Sequence, residues 1–482
     1  MKTCAILDTK IIDLSDVKNG ANYDEYLFNK YDATAGYNFN YFDGKLTNAL
    51  GLQPLSVRVN STSANIKTLS LSMASKIMSY SSVLLNKMSV VIMDLSYNLY
   101  KNDIDSFSSD FTKITQFDSQ PNIIRLSTLN ENYIVFSTAN KFYIYSGGYG
   151  VKTLDSDVKL LDVCVHNGSM FVVKDQEVRH TINWFSDINP DNIVTNLKGA
   201  NLISVPDTCG NIVKIISFND YLYVFCEYGI FRLVSYESKK KQYVEPVFVG
   251  SARIFPNTIV LAGGNIIFTC EDGIYNFTGL KVNKYDVKIT SLLKDVDNSY
   301  AKAVFGNGKY YLTCKLNYGD GKIIGAEGGT CPNNTLVELD SNLEKVVLNR
   351  GICLQDLSTL FGYENHKVMC IAKQYSPTVK ELCESGEYDD DYPLKKKWQY
   401  AKFDLGKPET MKVVKRMCVK TSSDIVITFE CDDKIKTVNV KGSNIVQNIP
   451  INLKGKVIGV MVECEKAVVK IETIKLLVGV YD

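Results

Sequence analysis

Apolar positions in this chain fall in short runs broken by polar turns, not at the spacing of a helical face, and runs of that length predict strands. Three of them recur in phase: YLYVFC (221–226), NIIFTC (265–270) and KYYLTC (309–314) each close on a cysteine. Cys226, Cys270 and Cys314 therefore stand 44 residues apart, and the first two runs continue alike, as CEYGIF and CEDGIY. A repeat of about this length, built from short strands, predicts the blades of a β-propeller.

The register extends both ways. NYIVFS (132–137) puts Ser137 at the cysteine position, SMFVVK (169–174) puts Lys174 there and SVVIMD (89–94) puts Met93 there. Downstream, HKVMC (366–370) places Cys370. Uneven gaps are absorbed by loops, whose closure entropy grows slowly with length, and GDGKIIGAEGGTCPNN (319–334) reads as an inserted hairpin or loop. Six or seven blades are expected.

Three regions follow: an N-terminal extended arm over 1–64, the propeller over 65–392, and a C-terminal module over 393–482. The arm includes YNFNYFDGKLTNALGLQPL (37–55), which would pack on the wheel or on a neighbouring subunit. In the last module DIVITFECDD (424–433), KIKTVNVKG (434–442), IVQNIPINLKG (445–455), KVIGVMVEC (456–464) and AVVKIETIKLLVGV (467–480) read as successive strands of an antiparallel β-sandwich. The expected fold class is all-β.

Composition supports strands: 45% of residues are hydrophobic, and 29 Tyr with 21 Phe favour sheets. A net charge of +1 provides no global field for nucleic acid or anionic membranes, so any such contact must use a local patch. The start, MKTCAILDTKIIDLSD, carries charges where a signal peptide needs an apolar core, and no apolar run is long enough for a membrane span. Synthesis in the cytoplasm and no membrane contact are expected. The 13 cysteines, scattered singly on apparent strands, read as buried thiols rather than a disulfide scaffold.

Candidate chemistry is thin. Three histidines, His166, His180 and His366, lie too far apart in sequence to propose a metal pair, and no zinc, nucleotide or nucleophile-elbow motif is present. His180, Ser186 and Asp187 fall in one short stretch, whereas a catalytic triad normally converges from separate segments. Glu387, Asp389, Asp390 and Asp391 in the polar linker ESGEYDDDYPLKKK (384–397) offer oxygen ligands for Ca²⁺ but lack the glycine and terminal glutamate of an EF-hand loop. Two lysine runs, Lys239–Lys240–Lys241 and Lys395–Lys396–Lys397, read either as solvated turns or as the lining of a DNA-conducting channel that meets phosphates without reading bases. A lectin-like wheel would repeat pocket residues after each strand, and Glu227, Glu271 and Lys315 match only twice. Neither catalytic residues nor a cofactor is expected.

FDGKLTNALGLQPL near the start, NWFSDINPDNI (183–193) and IVKIISFNDYLYVFCEYGIFRL (212–233) resemble tailed-bacteriophage tail hub or nozzle proteins, among them the packaged-DNA stabilisation proteins. The stretch WQYAKFDLGKPETMKVVKRMCVKTSSDIVITFECDD (398–433) is similar to that family's terminal β-sandwich. The resemblance implies a non-enzymatic virion component. It would form a cyclic ring, a hexamer, in the neck or tail, with the portal, adaptor and other tail proteins as partners. It would continue the channel, touch genomic DNA without specificity, and help retain and eject the genome. The competing expectation is a glycan- or receptor-binding propeller of the tail tip, or another interaction scaffold. The chain departs from the family in its scarce arginines and uneven repeats.

Overall fold

The structure is a computed structural model that describes residues 6–17, 21, 33–59, 65–128, 131–148, 150–155, 159–174, 176–180, 201–236, 241–285, 289–319, 332–340, 345–360, 367–372, 377–384 and 394–481. Seven antiparallel sheets follow one another along the chain. Six are four-stranded, and the seventh has five strands. We number these blades 1 to 7, with first strands Ala74–Ser82, Asn122–Ser127, Leu160–His166, Ile212–Phe218, Val260–Ala262, Lys302–Gly306 and Leu354–Leu360. The first strands of blades 2 and 3, 3 and 4, 5 and 6, and 6 and 7 touch, and the first strand of blade 1 touches the second strand of blade 2. The first strand of blade 7 touches that of blade 1, so the sheets close into a wheel around an axis that these strands line.

The uninterrupted apolar runs have a physical reason. Each blade is sandwiched between two others, so both faces of its second strand are buried and polar alternation disappears. In Tyr221–Cys226, Leu222, Val224 and Cys226 pack against blade 3, while Tyr223 and Phe225 pack against blade 5. Seven such clusters fill the seven seams, and fully burying one of these side chains contributes roughly 2 kcal/mol. The repeated cysteines are core atoms. Cys226, Cys270 and Cys314 are each at most 1% exposed, and burial pushes the Cys226 thiol up to about 12.

Two positions of the predicted register move. The second strand of blade 1 ends at Asp94, not Met93, and Met93 faces the following blade, whereas Cys226 faces the preceding one. A slip of one residue turns a side chain to the opposite face. In blade 7 the second strand ends at Ala372. Cys370, two residues earlier, keeps the backward-facing side and so carried the cysteine pattern without being its equivalent. The inserted stretch joins the second and third strands of blade 6, with 320–331 outside the described residues.

The C-terminal module is a sandwich of a four-stranded and a five-stranded sheet around Trp398, Met417, Phe429, Val460 and Leu476. Here the N-terminal region departs from the expected extended arm. Ile6–Asp13 pairs with Ile471–Tyr481, and Ala33–Tyr37 pairs with Lys396–Tyr400, so both are strands of the sandwich. Gly51–Arg58 pairs with Thr378–Cys383 and Ile66–Leu69 adds outside it, so the beginning of the chain completes blade 7. The 1–64 region thus groups segments that belong to two different bodies, and its boundary falls between two paired strands of blade 7.

Between those strands, residues 38–50 strap the sandwich to blade 6. Tyr41 donates its hydroxyl to the Val346 carbonyl at 2.6 Å and accepts the Val346 amide at 3.1 Å. Asn38 is buried with φ 62°, a left-handed conformation that asparagine tolerates. It bonds the Leu348, Arg350 and Lys395 carbonyls at 2.7 to 3.0 Å. The N-terminal strap therefore ties the two bodies together, through Tyr41 and through Asn38.

Candidate functional site

The axis of the wheel carries charge. The first strands of blades 1, 2, 3, 4, 6 and 7 contribute Lys76, Arg125, Asp162, Lys214, Lys302 and Asp356. In four of them a register shift immediately precedes the charged residue: Ala74/Lys76, Leu160/Asp162, Ile212/Lys214 and Leu354/Asp356. Such a bulge re-aims the following side chain.

Two of these carboxylates stitch blades together. Asp162 accepts the Ile215 amide of blade 4 at 2.8 Å, and Asp356 accepts the Ile77 amide of blade 1 at 2.8 Å. Each amide belongs to the residue after a lysine, Lys214 or Lys76, so Asp-Val or Asp-Leu in one blade addresses Lys-Ile in the next. Burial raises the Asp162 carboxyl above the usual range, against the opposing pull of Lys214 and of the amides of Ile215 and Val163. Asp356, fully buried, is also ion-paired with Lys302.

Around Asp356 the charges do not balance. Arg125 of blade 2 reaches past blade 1 and donates to the Ser358 hydroxyl of blade 7 at 3.0 Å. Arg125 and Lys76 both lie within electrostatic reach of Lys302, and Arg125 within reach of Asp356. Arg125 remains open to solvent although protein surrounds it, as expected for a side chain in a narrow wet channel. Burial lowers the Arg125 guanidinium and the Lys302 ammonium below their usual values, and Asp356 opposes that shift in both.

A second feature lies at a hairpin tip of blade 1. Val83, Leu84 and Leu85 are 51%, 55% and 49% exposed, an uncommon run of three apolar side chains in water. The tip is held rigidly. Fully buried Glu131, from blade 2, accepts the Val83 amide and the Ser82 hydroxyl, both at 2.7 Å, and the Asn132 amide at 2.9 Å. Burial alone would raise the Glu131 carboxyl, but these bonds and one from the Leu84 amide hold it below its usual range.

The predicted site residues scatter. Lys239 and Lys240 lie outside the described residues, and Lys241 opens the outermost strand of blade 4, away from the axis. Lys395, Lys396 and Lys397 are on the sandwich, the last two at the start of the strand Lys396–Tyr400. Lys395 pairs with Glu463 at 3.1 Å, and Lys397 sits half-buried on the strand paired to Glu463. Lys396 is fully buried and donates to the Lys466 carbonyl at 2.6 Å, so it cannot meet DNA. The alternating strand turns every second lysine inward.

Glu227 and Glu271 do repeat, for a structural reason. Each accepts the amide leading into its own blade, Asn211 at 3.0 Å and Arg253 at 3.1 Å. In blade 6, where Lys315 stands, the Asn298 side chain accepts the Lys315 amide at 2.7 Å instead. Ser186, Asp187, Glu387, Asp389, Asp390, Asp391 and the Trp184–Pro190 segment lie outside the described residues, as does the side chain of His180. Among the described residues no group of three or more His, Cys, Asp or Glu is placed to hold a metal. No helix among them is long and apolar enough to cross a membrane.

The axial charges were missed in the sequence because first strands carry no shared cysteine to align on. The pairs Asp162-Val163 and Asp356-Leu357, with Lys76-Ile77 and Lys214-Ile215, were the available signal.

No protein-family model and no curated protein matches the sequence. Among solved structures the chain is similar to BBS1N in complex with ARL6DN, in crystals soaked with mercury or lead, at 12% and 11% identity. Both matches cover 63% of this chain and 92% of that one, with TM-scores of 0.38 and 0.39. It is also similar to a chain of the mitotic checkpoint complex at 10% identity, covering 68% and 98% with a TM-score of 0.40. The assignment as a seven-bladed propeller rests on the strand topology itself.

Proposed function

We propose that this protein is an interaction scaffold: a rigid wheel and a strapped sandwich that present fixed surfaces to protein partners. The observation that carries this reading is the Val83–Leu84–Leu85 tip. Exposed apolar side chains lose free energy in water unless a partner covers them, and pinning by Glu131 means little ordering entropy is lost on docking. Closed sheets and a double attachment of the sandwich support the same role, because a scaffold must hold its surfaces at fixed distances. A photo-crosslinking side chain at Leu85, in the full chain and in the cells that produce it, is expected to give one discrete protein adduct. Absence of any discrete adduct overturns the reading.

The finer form, a ring of the neck or tail of a phage particle, is supported by the sequence resemblance. In that form the chain is present in purified, DNA-filled particles at a fixed ratio near half that of the portal protein. A few copies lost on mild stripping of fibres would favour the receptor-binding form, and absence from the particle would exclude both.

A further inference from the structure

We propose that the axial channel holds a phosphate group, bound between Arg125, Lys76 and Lys302 beside Asp356. Three cations from blades 1, 2 and 6 gather around one carboxylate, and that carboxylate is already committed to Lys302 and the Ile77 amide. The cluster thus carries two positive charges in excess, the complement of a phosphate dianion. Neither Lys76 nor Arg125 forms a direct ion pair among the described residues. Arg125 commits a single bond to Ser358, leaving the rest of its fork for a planar or tetrahedral oxyanion. Burial lowers the Arg125 guanidinium and the Lys302 ammonium, and at Lys302 the neighbouring charges of Lys76 and Arg125 add to that effect. The other axial pair is different: Lys214 faces Asp162 alone, one cation to one carboxylate, and provides an internal control.

Asp356 at the centre of the cluster is fully buried, and a lowered local dielectric strengthens attraction between an entering anion and fixed cations. Inorganic phosphate and glycerol phosphate share the chemistry the cluster recognises, and they differ in whether one oxygen is esterified. The test is calorimetric titration of the full-length chain with each, at constant ionic strength in a chloride buffer. Saturable binding of inorganic phosphate alone assigns a free anion. Binding of both assigns a phosphate monoester, entered along the axis.

Arg125→Gln, at a solvent-open position, is expected to weaken binding at least about tenfold, and Lys214→Gln to leave it within about twofold. Circular dichroism and thermal unfolding confirm that each variant is folded, with Lys76→Gln as the substitute should Arg125→Gln fail. No saturable heat with either phosphate, or equal binding by Arg125→Gln and the unaltered chain, overturns the proposal.

Discussion

Asp356 in blade 7 accepts the amide of Ile77 in blade 1 at 2.8 Å, where the end of the propeller meets its beginning. Asp162 does the same for Ile215 between blades 3 and 4, at the same distance. The wheel is therefore held at its axis by carboxyl-to-amide bonds as well as by apolar seams, and each bond satisfies a backbone amide of the next blade.

The Asp162 bond has a pH signature. Burial raises the carboxyl above its unfolded value of 3.8, so the folded chain holds this proton more tightly than the unfolded chain does. Stability from this group is complete below the ordinary aspartate range and declines as pH rises toward the raised folded value. Asp162→Asn keeps an oxygen for the Ile215 amide and removes the charge. Urea unfolding should show the unaltered chain losing stability relative to the variant as pH rises from below the ordinary aspartate range toward neutrality. A gap that does not change with pH would show that Asp162 is not protonated preferentially in the fold.

Closure of blade 7 depends on Glu381. This buried carboxylate takes the Lys367 ammonium at 2.7 Å and also bonds the Gln53 side chain and the Ser56 amide and hydroxyl, all on the chain-closing strand Gly51–Arg58. Glu381→Ala leaves Lys367 without its counter-charge and should lower stability by about 2 to 4 kcal/mol. Hydrogen exchange should rise first in Gly51–Arg58. Uniform loss of protection across all blades would contradict a local role.

Tyr41 tests the strap. Tyr41→Phe keeps the ring against Trp398, 5.3 Å between centroids, but strips two hydrogen bonds from the Val346 backbone. The expected loss is about 1 to 3 kcal/mol. Limited proteolysis between propeller and sandwich should accelerate, while Tyr41→Phe with unchanged cleavage would mean that Asn38 alone holds the junction.

Lys396 separates structural from DNA-facing lysines. Lys396→Met removes a buried ammonium together with its demand for carbonyl partners, a change that is often neutral or stabilising by about 1 kcal/mol or more. Lys412, across the sandwich, is buried in the same manner against the Lys407 and Lys456 carbonyls. Any retention of duplex DNA at low salt should be unchanged in Lys396→Met. A measurable loss of retention would place this side chain outside the core.

The repeat of Cys226, Cys270 and Cys314 determined by itself that the chain is a wheel of short strands, because a second strand buried on both faces must be apolar throughout and a fixed blade size fixes its spacing. The sandwich strands were legible for a different local reason, alternation along each strand. What tertiary structure alone decided is non-local. The chain-closing strand Gly51–Arg58 and the sandwich strand Ile6–Asp13 find partners more than three hundred residues away. No local pattern states which sheet edge a strand will join. The charges at the axis were invisible likewise, since Lys76, Arg125, Lys302 and Asp356 meet only because closing the ring brings the first strands of four blades to one line. Sequence fixes what each strand buries. Ring closure determines which buried groups face one another, because that depends on the angle between sheets and not on any residue's own preference.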